Sequence, residues 1–260
     1  MRLAGNAIPG TLQLVSQYVI QAGRACFLSC LLWSGELPGQ QLAADYEVLL
    51  DLGMLQRFRA KLYVSEEQSR FDWGIPEEPL GPEKDREVRV QLQVPDSVGR
   101  FNFTDFREGF LYTPVFTLEG RIRVLREAIT EIDWELTPQR TEIGPYRCRL
   151  ARGRFRGRHY RVWYAPDIPA RSGPWKLHGL PGLVVTAREE DNAVFFRLTA
   201  LEAVADFPET PLVGFEPMDL EEYREHRQKR AVGLLRRIQT RMPRGTEIRI
   251  TEQKHLEIFR

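Results

Sequence analysis

The sequence Gly-Pro-Trp-Lys-Leu-His-Gly-Leu-Pro-Gly-Leu-Val-Val occupies residues 173–185 and is dense in glycine and proline. Proline locks its own φ angle and glycine alone adopts positive φ at little cost, so the two together specify a backbone path rather than a flexible linker. The β-branched Val184 and Val185 at its end are typical of a buried strand. The stretch therefore predicts a rigid turn that leads directly into a core strand.

Short stretches on both sides alternate apolar with polar residues, which is the period of a half-buried strand. They are residues 46–50, 58–64, 88–94, 146–150, 159–164, 183–187 and 193–198. Residues 101–116 predict two more strands across a turn at Glu108-Gly109. Residues 121–136 fit two strand pieces, the interpretation we favour, although 125–132 are also compatible with a helix. Because the segments are short and separated by turn residues, we expect an antiparallel meander.

One helix is predicted near the carboxyl terminus. Asp219 can cap it, Glu222 stands at the capping-box position, and Pro243 with Gly245 ends it. An apolar stripe should pack it on the sheet rather than against a partner; the stripe is Tyr223, Ala231, Leu234, Leu235, Ile238 and Met242. The predicted fold class is mainly β (a β-rich α+β protein). We expect a curved antiparallel sheet, in the form of an open half-barrel, with a C-terminal helix docked on it.

The amino-terminal region has the layout of a signal peptide. Arg24 is followed by the apolar stretch 25–33, then by small residues and a break at Pro38-Gly39. The alternative is a buried N-terminal helix, because residues 12–20 are also apolar-rich. We expect a signal peptide with an N-terminal extension over residues 1–39 and a single β-rich domain over residues 40–260.

Composition argues against several partner classes. The 260 residues carry a formal net charge of +1, and without residues 1–39 the chain has 35 basic and 35 acidic residues. A neutral chain does not favour nucleic acid as a partner. No stretch approaches the roughly 18 apolar residues that a transmembrane helix requires. Loss of residues 1–39 would leave Cys148 as the sole cysteine, so we expect no internal disulfide.

An arginine-rich stretch is a candidate anion-binding site. No acidic residue lies between Ile143 and Pro166. On an extended strand, alternating arginines share one face and can grip phosphate or carboxylate; they are Arg152, Arg154, Arg156 and Arg158. The interpretation we favour is a solvated hairpin face whose charges pair with acids on neighbouring strands.

The sequence indicates no catalytic residue, metal site or cofactor. The histidines lack metal-ligand spacing; they are His159, His178, His226 and His255. Cys148 and His159 on adjacent strands are a conceivable nucleophile and base, but a buried cysteine is the commoner case. We therefore expect a protein that is not an enzyme.

Residues 133–185 resemble the signature of the GLPGLI family, also called the Porph_ging family. The motif positions are Trp134, Gly144, Tyr146, Cys148, Arg158, Trp163, Tyr164, Gly173, Pro174, Gly179, Leu180, Pro181 and Gly182. Val184 stands where the name-giving motif has isoleucine, and Pro145 is inserted between Gly144 and Tyr146. The resemblance implies an exported protein of a Gram-negative bacterium, periplasmic or outer-membrane-associated, with no established activity, cofactor or catalytic residue. Its motif residues look structural, with glycines for turns and a tryptophan and a cysteine for packing.

These observations predict a non-enzymatic binding protein for an apolar ligand, a peptide or an envelope partner. Its binding face would be an apolar concave sheet surface, for which aromatic residues are available, although most of them are expected to fill the core. They are Phe101, Phe103, Phe106, Phe110, Tyr112, Phe116, Trp163, Tyr164 and Trp175. The alternatives are an envelope enzyme that uses Cys148 or the arginine-rich strand, and a purely structural assembly component.

Overall fold

The computed structural model describes residues 41–53, 55–76, 101–117, 121–209, 212–241 and 256–257. The predicted signal peptide, the predicted strand 88–94 and His255 lie outside these ranges. They stay predictions.

The described residues form twelve strands and one helix. The strands are β1 (Gln41–Asp51), β2 (Leu55–Val64), β3 (Gln68–Pro76), β4 (Phe101–Asp105), β5 (Phe110–Phe116), β6 (Ile122–Ala128), β7 (Trp134–Ile143), β8 (Tyr146–Phe155), β9 (Arg158–Ala165), β10 (Leu183–Glu189), β11 (Val194–Val204) and β12 (Glu216–Met218), and the helix is α1 (Leu220–Arg241).

All twelve strands belong to one open sheet, in the order β12-β6-β5-β4-β3-β2-β1-β11-β10-β9-β8-β7. Two antiparallel meanders, β1 to β6 and β7 to β11, are joined because β1 pairs with β11. Only β12 runs parallel to its neighbour, β6, among the pairs that the structure describes. The predicted class, a mainly β protein with an antiparallel sheet and a C-terminal helix, is confirmed.

Most predicted strands are found, and two strands, β3 and the three-residue β12, escaped prediction. Residues 122–128 form a strand rather than a helix, and the turn at Glu108-Gly109 joins β4 to β5 as expected. Strand β3 was not predicted, because its alternation, carried by Phe71 and Trp73, is cut short by Gly74 and Pro76. The segment forms a strand because it pairs with β2 on one side and with β4 on the other, and these pairings are not visible in the local sequence.

The two faces of the sheet differ in composition. Because directly paired residues point to the same side, the strand register defines continuous rows across the sheet. One row consists of the buried residues Phe58, Val48, Phe196, Ala187, Val162 and Ala151. Its continuation on the other strands includes Leu62, Phe71, Asn102, Thr113 and Leu125. We call this side the inner face and the opposite side the outer face.

The sheet is rolled toward its inner face. Arg156, in the turn between β8 and β9, forms an ion pair with Glu127 of β6. In a flat sheet, β6 and β9 would be eight strand spacings apart, about 38 Å. The contact therefore requires strong curvature, as predicted from the sequence.

Helix α1 begins as the sequence predicts and packs on the inner face at the β5–β6 end. The Glu222 backbone N–H donates to Asp219 Oδ1 at 2.8 Å, which is the predicted cap. Tyr223 is buried against Val115, Leu125 and Met218. Within the part of the chain that the structure describes, no helix has the length and apolar character needed to cross a membrane.

Candidate functional site

Residues 166–182, which connect β9 to β10, run across the inner face, and we call them the cover segment. Trp175, Leu177 and Leu180 are buried in the same apolar cluster as the inner-face residues of β1, β2, β9, β10 and β11. Ser172 and His178 form an antiparallel bridge within the segment. The predicted glycine- and proline-rich turn is thus a small closed hairpin that fills part of the rolled sheet.

Polar contacts tie the cover segment to both halves of the sheet. Ser172 Oγ donates to Ser69 Oγ of β3 at 2.8 Å. At the start of β7, Trp134 Nε1 donates to the His178 carbonyl oxygen at 2.8 Å. Since β3 and β7 lie on opposite sides of β1 in the sheet, these bonds fix the segment across the inner face.

Glycines allow the close approaches around this segment. A Cβ on Gly182, whose φ is +152°, would lie 2.2 Å from the Ala165 carbonyl oxygen. A Cβ on Gly153 would lie 2.6 Å from the Trp134 ring. A Cβ on Gly173 would come equally near the Val184 side chain. Residues larger than glycine at these positions would displace their neighbours.

The structure brings many of the motif residues to the cover segment. Six belong to it, namely Gly173, Pro174, Gly179, Leu180, Pro181 and Gly182. Tyr164 is buried in the same apolar cluster, and Trp163 is packed against it. Tyr146, the first residue of β8, is also packed against this cluster. Gly144 lies in the β7–β8 connection, where Gly144 with φ +57° and Pro145 form a two-residue turn. The inserted proline therefore fits a turn, and Ile143 pairs with Tyr146 directly beside it.

A cluster of buried charges anchors the cover segment at Lys176. The Lys176 ammonium lies 2.5 Å from Glu127 Oε1 and 2.6 Å from Glu257 Oε1. Arg156 forms an ion pair with the other oxygen of Glu127. Burial acts to raise the pKa of Glu127, but Lys176 and Arg156 outweigh it and hold that pKa below its ordinary value.

A second buried ion pair lies on the same inner face. Arg158 donates to Glu189 Oε1 at 3.0 Å and to the Leu256 carbonyl oxygen at 3.0 Å. The two groups together contain three cations, Lys176, Arg156 and Arg158, and three carboxylates. Because these six charges balance, the cluster has no excess positive charge with which to bind an anion.

The four alternating arginines do not share one face. Arg152 and Arg154 are exposed on β8, but the strand ends at Phe155 and the chain turns at Arg156 and Gly157, both of which have positive φ. Arg158 then lies opposite Phe155, so its side chain enters the inner face. The predicted anion site is therefore split by the turn. From the sequence, we favour the interpretation that these arginines pair with acids on neighbouring strands. Arg156 and Arg158 do form ion pairs with acids, whereas Arg152 and Arg154 do not among the described residues.

Cys148 and His159 are far apart. In the β8–β9 register, Arg154 lies opposite His159 and six residues separate Cys148 from that position, about 20 Å. Cys148 is buried, and burial raises the pKa of its thiol to about 11. This geometry does not support Cys148 and His159 as a nucleophile and base pair.

Cys148 should be inert to alkylation in the native protein. At pH 8, a thiol with its pKa near 11 contains roughly a hundredfold less thiolate than an ordinary cysteine, and only the thiolate reacts. We expect iodoacetamide to modify Cys148 at least 100-fold more slowly in the native state than in guanidinium chloride, as measured by mass spectrometry of the Cys148 peptide. Rapid modification of the native protein would reinstate the enzyme alternative.

Both ring nitrogens of His178 face backbone carbonyl oxygens, a role that the sequence around His178 did not predict. Its Nδ1 lies 2.8 Å from the Lys176 carbonyl oxygen, and its Nε2 lies 3.1 Å from the Thr130 carbonyl oxygen. Burial lowers the pKa of this imidazole. In the described ranges, no group of three or more His, Cys, Asp or Glu residues is arranged to hold a metal ion.

The aromatic residues of β4 and β5 mostly fill a separate small core. Phe101, Phe103 and Tyr112 form a buried cluster with Val124, and Phe207, Leu212 and Phe215 pack against it. By register this cluster lies on the outer face. The aromatic residues that do line the inner face are Tyr46, Phe58, Phe71, Trp73, Tyr160, Tyr164 and Phe196.

From β3 to β5 the inner face also buries polar side chains among its apolar ones. Ser69, Asn102, Thr104 and Thr113 are all buried there. Trp73 Nε1 donates to Asn102 Oδ1 at 2.8 Å. Two further polar atoms in the interior, the Tyr160 hydroxyl and Trp175 Nε1, are buried without a hydrogen-bond partner among the described residues. Such atoms are rare in folded proteins because each costs free energy.

No family model and no curated protein matches the sequence. Among solved structures, the chain is similar to PNGF-II in two crystal forms, with TM-scores of 0.51 and 0.50 and 13% sequence identity. The match covers 73% of this chain and 33% of the PNGF-II chain, so the protein spans about a third of the length of that relative. At this identity the likeness concerns the fold alone.

The solved structures with a detectable likeness also include the LolA superfamily protein NE2245 from Nitrosomonas europaea. That match has a TM-score of 0.27 and 9% identity, and it covers 67% of this chain and 89% of the other. A DUF1329 family protein from Desulfovibrio piger matches with a TM-score of 0.25 and 9% identity, over 75% of this chain and 97% of the other.

Proposed function

We propose that this protein is an exported, non-enzymatic binding protein of the bacterial envelope that holds an apolar or amphiphilic ligand on the inner face of its rolled sheet. The observation that carries the proposal is the architecture of that face. A single open sheet buries the apolar rows of its inner face against the cover segment and helix α1, with no second sheet opposite it in the described residues. Membership of the GLPGLI family and export from the cytoplasm are parts of the same proposal.

The apolar part of the inner face suits a hydrocarbon chain. Phe71 lies edge-on to Trp73, with ring centroids 5.0 Å apart, and edge-on to Phe196 at 6.2 Å. Binding sites for small molecules are commonly concave surfaces lined by such aromatic and aliphatic side chains. A peptide or another envelope protein with an apolar segment would use the same surface.

The polar part of the inner face suits an uncharged head group. The polar side chains buried on the inner face of β3 to β5 are neutral hydroxyls and an amide, and the nearby charges are balanced among themselves. The Tyr160 hydroxyl and Trp175 Nε1 are two buried donors that a ligand oxygen would satisfy. This arrangement supports an amphiphile over a purely apolar molecule.

Native mass spectrometry of the protein purified from its own envelope tests the proposal. We expect a population whose mass exceeds that of the chain by one small apolar or amphiphilic molecule. Tyr160→Phe removes one orphan hydroxyl and keeps the ring, so the liganded fraction should fall severalfold while the stability of the fold stays equal or rises. Tyr160 is fully buried, so no surface property changes.

Tyr46→Phe is the matched control. Its hydroxyl already donates to the Val184 carbonyl oxygen at 2.5 Å. Loss of that bond should cost about 1 kcal/mol of stability and leave the liganded fraction unchanged. Recovery of only ligand-free protein, or an equal effect of the two variants on ligand retention, would contradict the proposal.

A further inference from the structure

We propose that the outer face of β8, β9 and β10 docks on the surface of an anionic phospholipid bilayer. Four exposed guanidinium groups carry the contact, those of Arg152, Arg154, Arg161 and Arg188, and we call them the outer arginine patch. This inference uses the opposite side of the sheet from the proposed ligand site. The membrane-docking inference is therefore independent of the proposed ligand site.

The strand register places the patch in one compact array. Arg152 lies opposite Arg161, and Arg161 lies opposite Arg188. With about 4.8 Å between neighbouring strands, the three Cα atoms span about 10 Å. Arg154 lies two residues along β8 from Arg152, about 7 Å away, on the same face. The array therefore extends in two directions.

Among the described residues, no acidic side chain neutralises the positive charges of the outer arginine patch. Arg152, Arg154 and Arg161 make no ion pair or hydrogen bond with the residues that the structure describes. Arg188 donates to the neutral Asn192 Oδ1 at 3.0 Å, and its guanidinium lies 4.5 Å from the Phe195 ring centroid.

The acids nearest in the register do not neutralise the patch. Glu135 lies opposite Arg152 on β7 and Glu190 follows β10, yet neither forms an ion pair with the patch. Elsewhere on the outer face, by contrast, Arg57 and Arg197 share Glu47. Like charges directly opposite each other destabilise a sheet. An external anion would remove that cost.

The chemistry and shape of the patch favour phosphate groups in a plane. Every cation is an arginine, whose planar fork binds phosphate through two parallel hydrogen bonds. The side chains project from an exposed strand surface, whereas proteins that hold a single polyanionic strand use a basic groove. A two-dimensional array can meet several head groups of a bilayer at once, and each arginine near an anionic membrane contributes appreciable affinity.

Vesicle co-sedimentation of the full chain tests the inference. Vesicles of phosphatidylcholine with phosphatidylglycerol should bind the protein at low ionic strength, and vesicles of phosphatidylcholine alone should bind it much more weakly. The triple variant Arg152→Gln/Arg161→Gln/Arg188→Gln should bind the anionic vesicles on the order of 100-fold more weakly. The corresponding Arg→Lys variant keeps the charge but loses the planar fork, so its affinity should lie between those of the wild type and the Gln variant.

The matched control removes the same net charge elsewhere. Arg107, Arg121 and Arg126 are exposed at the β4–β6 end of the sheet, and their triple replacement by Gln should change vesicle binding less than threefold. An equal loss in this control would overturn the inference, because it would reveal a non-local charge effect. Equal binding of the wild type to neutral and anionic vesicles, or binding of heparin but not of anionic vesicles, would overturn it too.

Discussion

Replacement of Lys176 by methionine should lower the free energy of unfolding by about 3–5 kcal/mol. The ammonium is 1% exposed and lies within 2.6 Å of both Glu127 and Glu257. Without it, Glu257 keeps no ion-pair partner among the described residues, and a buried unpaired carboxylate is costly. Denaturant unfolding followed by tryptophan fluorescence measures the loss, which should also lower the melting temperature by roughly 10 °C.

Lys61→Met is the matched control for Lys176→Met. Lys61 pairs with Asp45 and Glu202 at distances of 3.4 and 3.1 Å, but its side chain is 34% exposed. An ion pair at the surface contributes about 0–1 kcal/mol, so this variant should be nearly as stable as the wild type. In the double variant Lys176→Met/Glu257→Gln, the loss should be smaller than in Lys176→Met alone. Equal stabilities of the two single variants would show that the buried cluster does not hold the sheet in its rolled form.

Gly182→Ala should lower the free energy of unfolding by about 3 kcal/mol or more. Its φ of +152° is unfavourable for any other residue, and the new Cβ would lie 2.2 Å from the Ala165 carbonyl oxygen. Backbone strain and overpacking each contribute about 1–3 kcal/mol. Because the atom in the way belongs to the backbone, the collision can be relieved only by moving the chain where β9 meets the cover segment. Denaturant unfolding measures the effect.

Gly144→Ala is the control for Gly182→Ala, because it introduces backbone strain without a steric collision. Gly144 also has positive φ, +57°, but a Cβ there would meet nothing within 4 Å. Only the cost of the left-handed backbone remains, about 1 kcal/mol. Similar losses at the two glycines would mean that the close approach to Ala165 contributes nothing to stability.

Local sequence patterns were sufficient to predict most of the fold. Alternation located strands such as β2 and β9, because a half-buried strand leaves a two-residue period in the sequence. The cap at Asp219 located the start of α1, because capping is a contact between residues three apart. Strand β3 was missed, since its pairing with β2 and β4 is a tertiary property.

The candidate site was much harder to predict from the sequence than the fold. Alternation placed four arginines on one face, but the turn at Arg156 divides them, and Arg161 and Arg188 join the outer patch only through strand pairing. The prediction gave Lys176 no role. A single lysine in an apolar stretch carries no signal that it will meet Glu127, 49 residues away.

The glycine- and proline-rich stretch at residues 173–185 shows which features the sequence determines and which depend on the tertiary structure. The sequence alone determined that the stretch is a rigid turn before a buried strand, because φ preferences are properties of single residues. Only the tertiary structure decided that this turn lies inside a rolled sheet and holds Lys176 against Glu127 and Glu257. Curvature brings together strands that are eight positions apart in the sheet, and no local pattern encodes the contacts made across that distance.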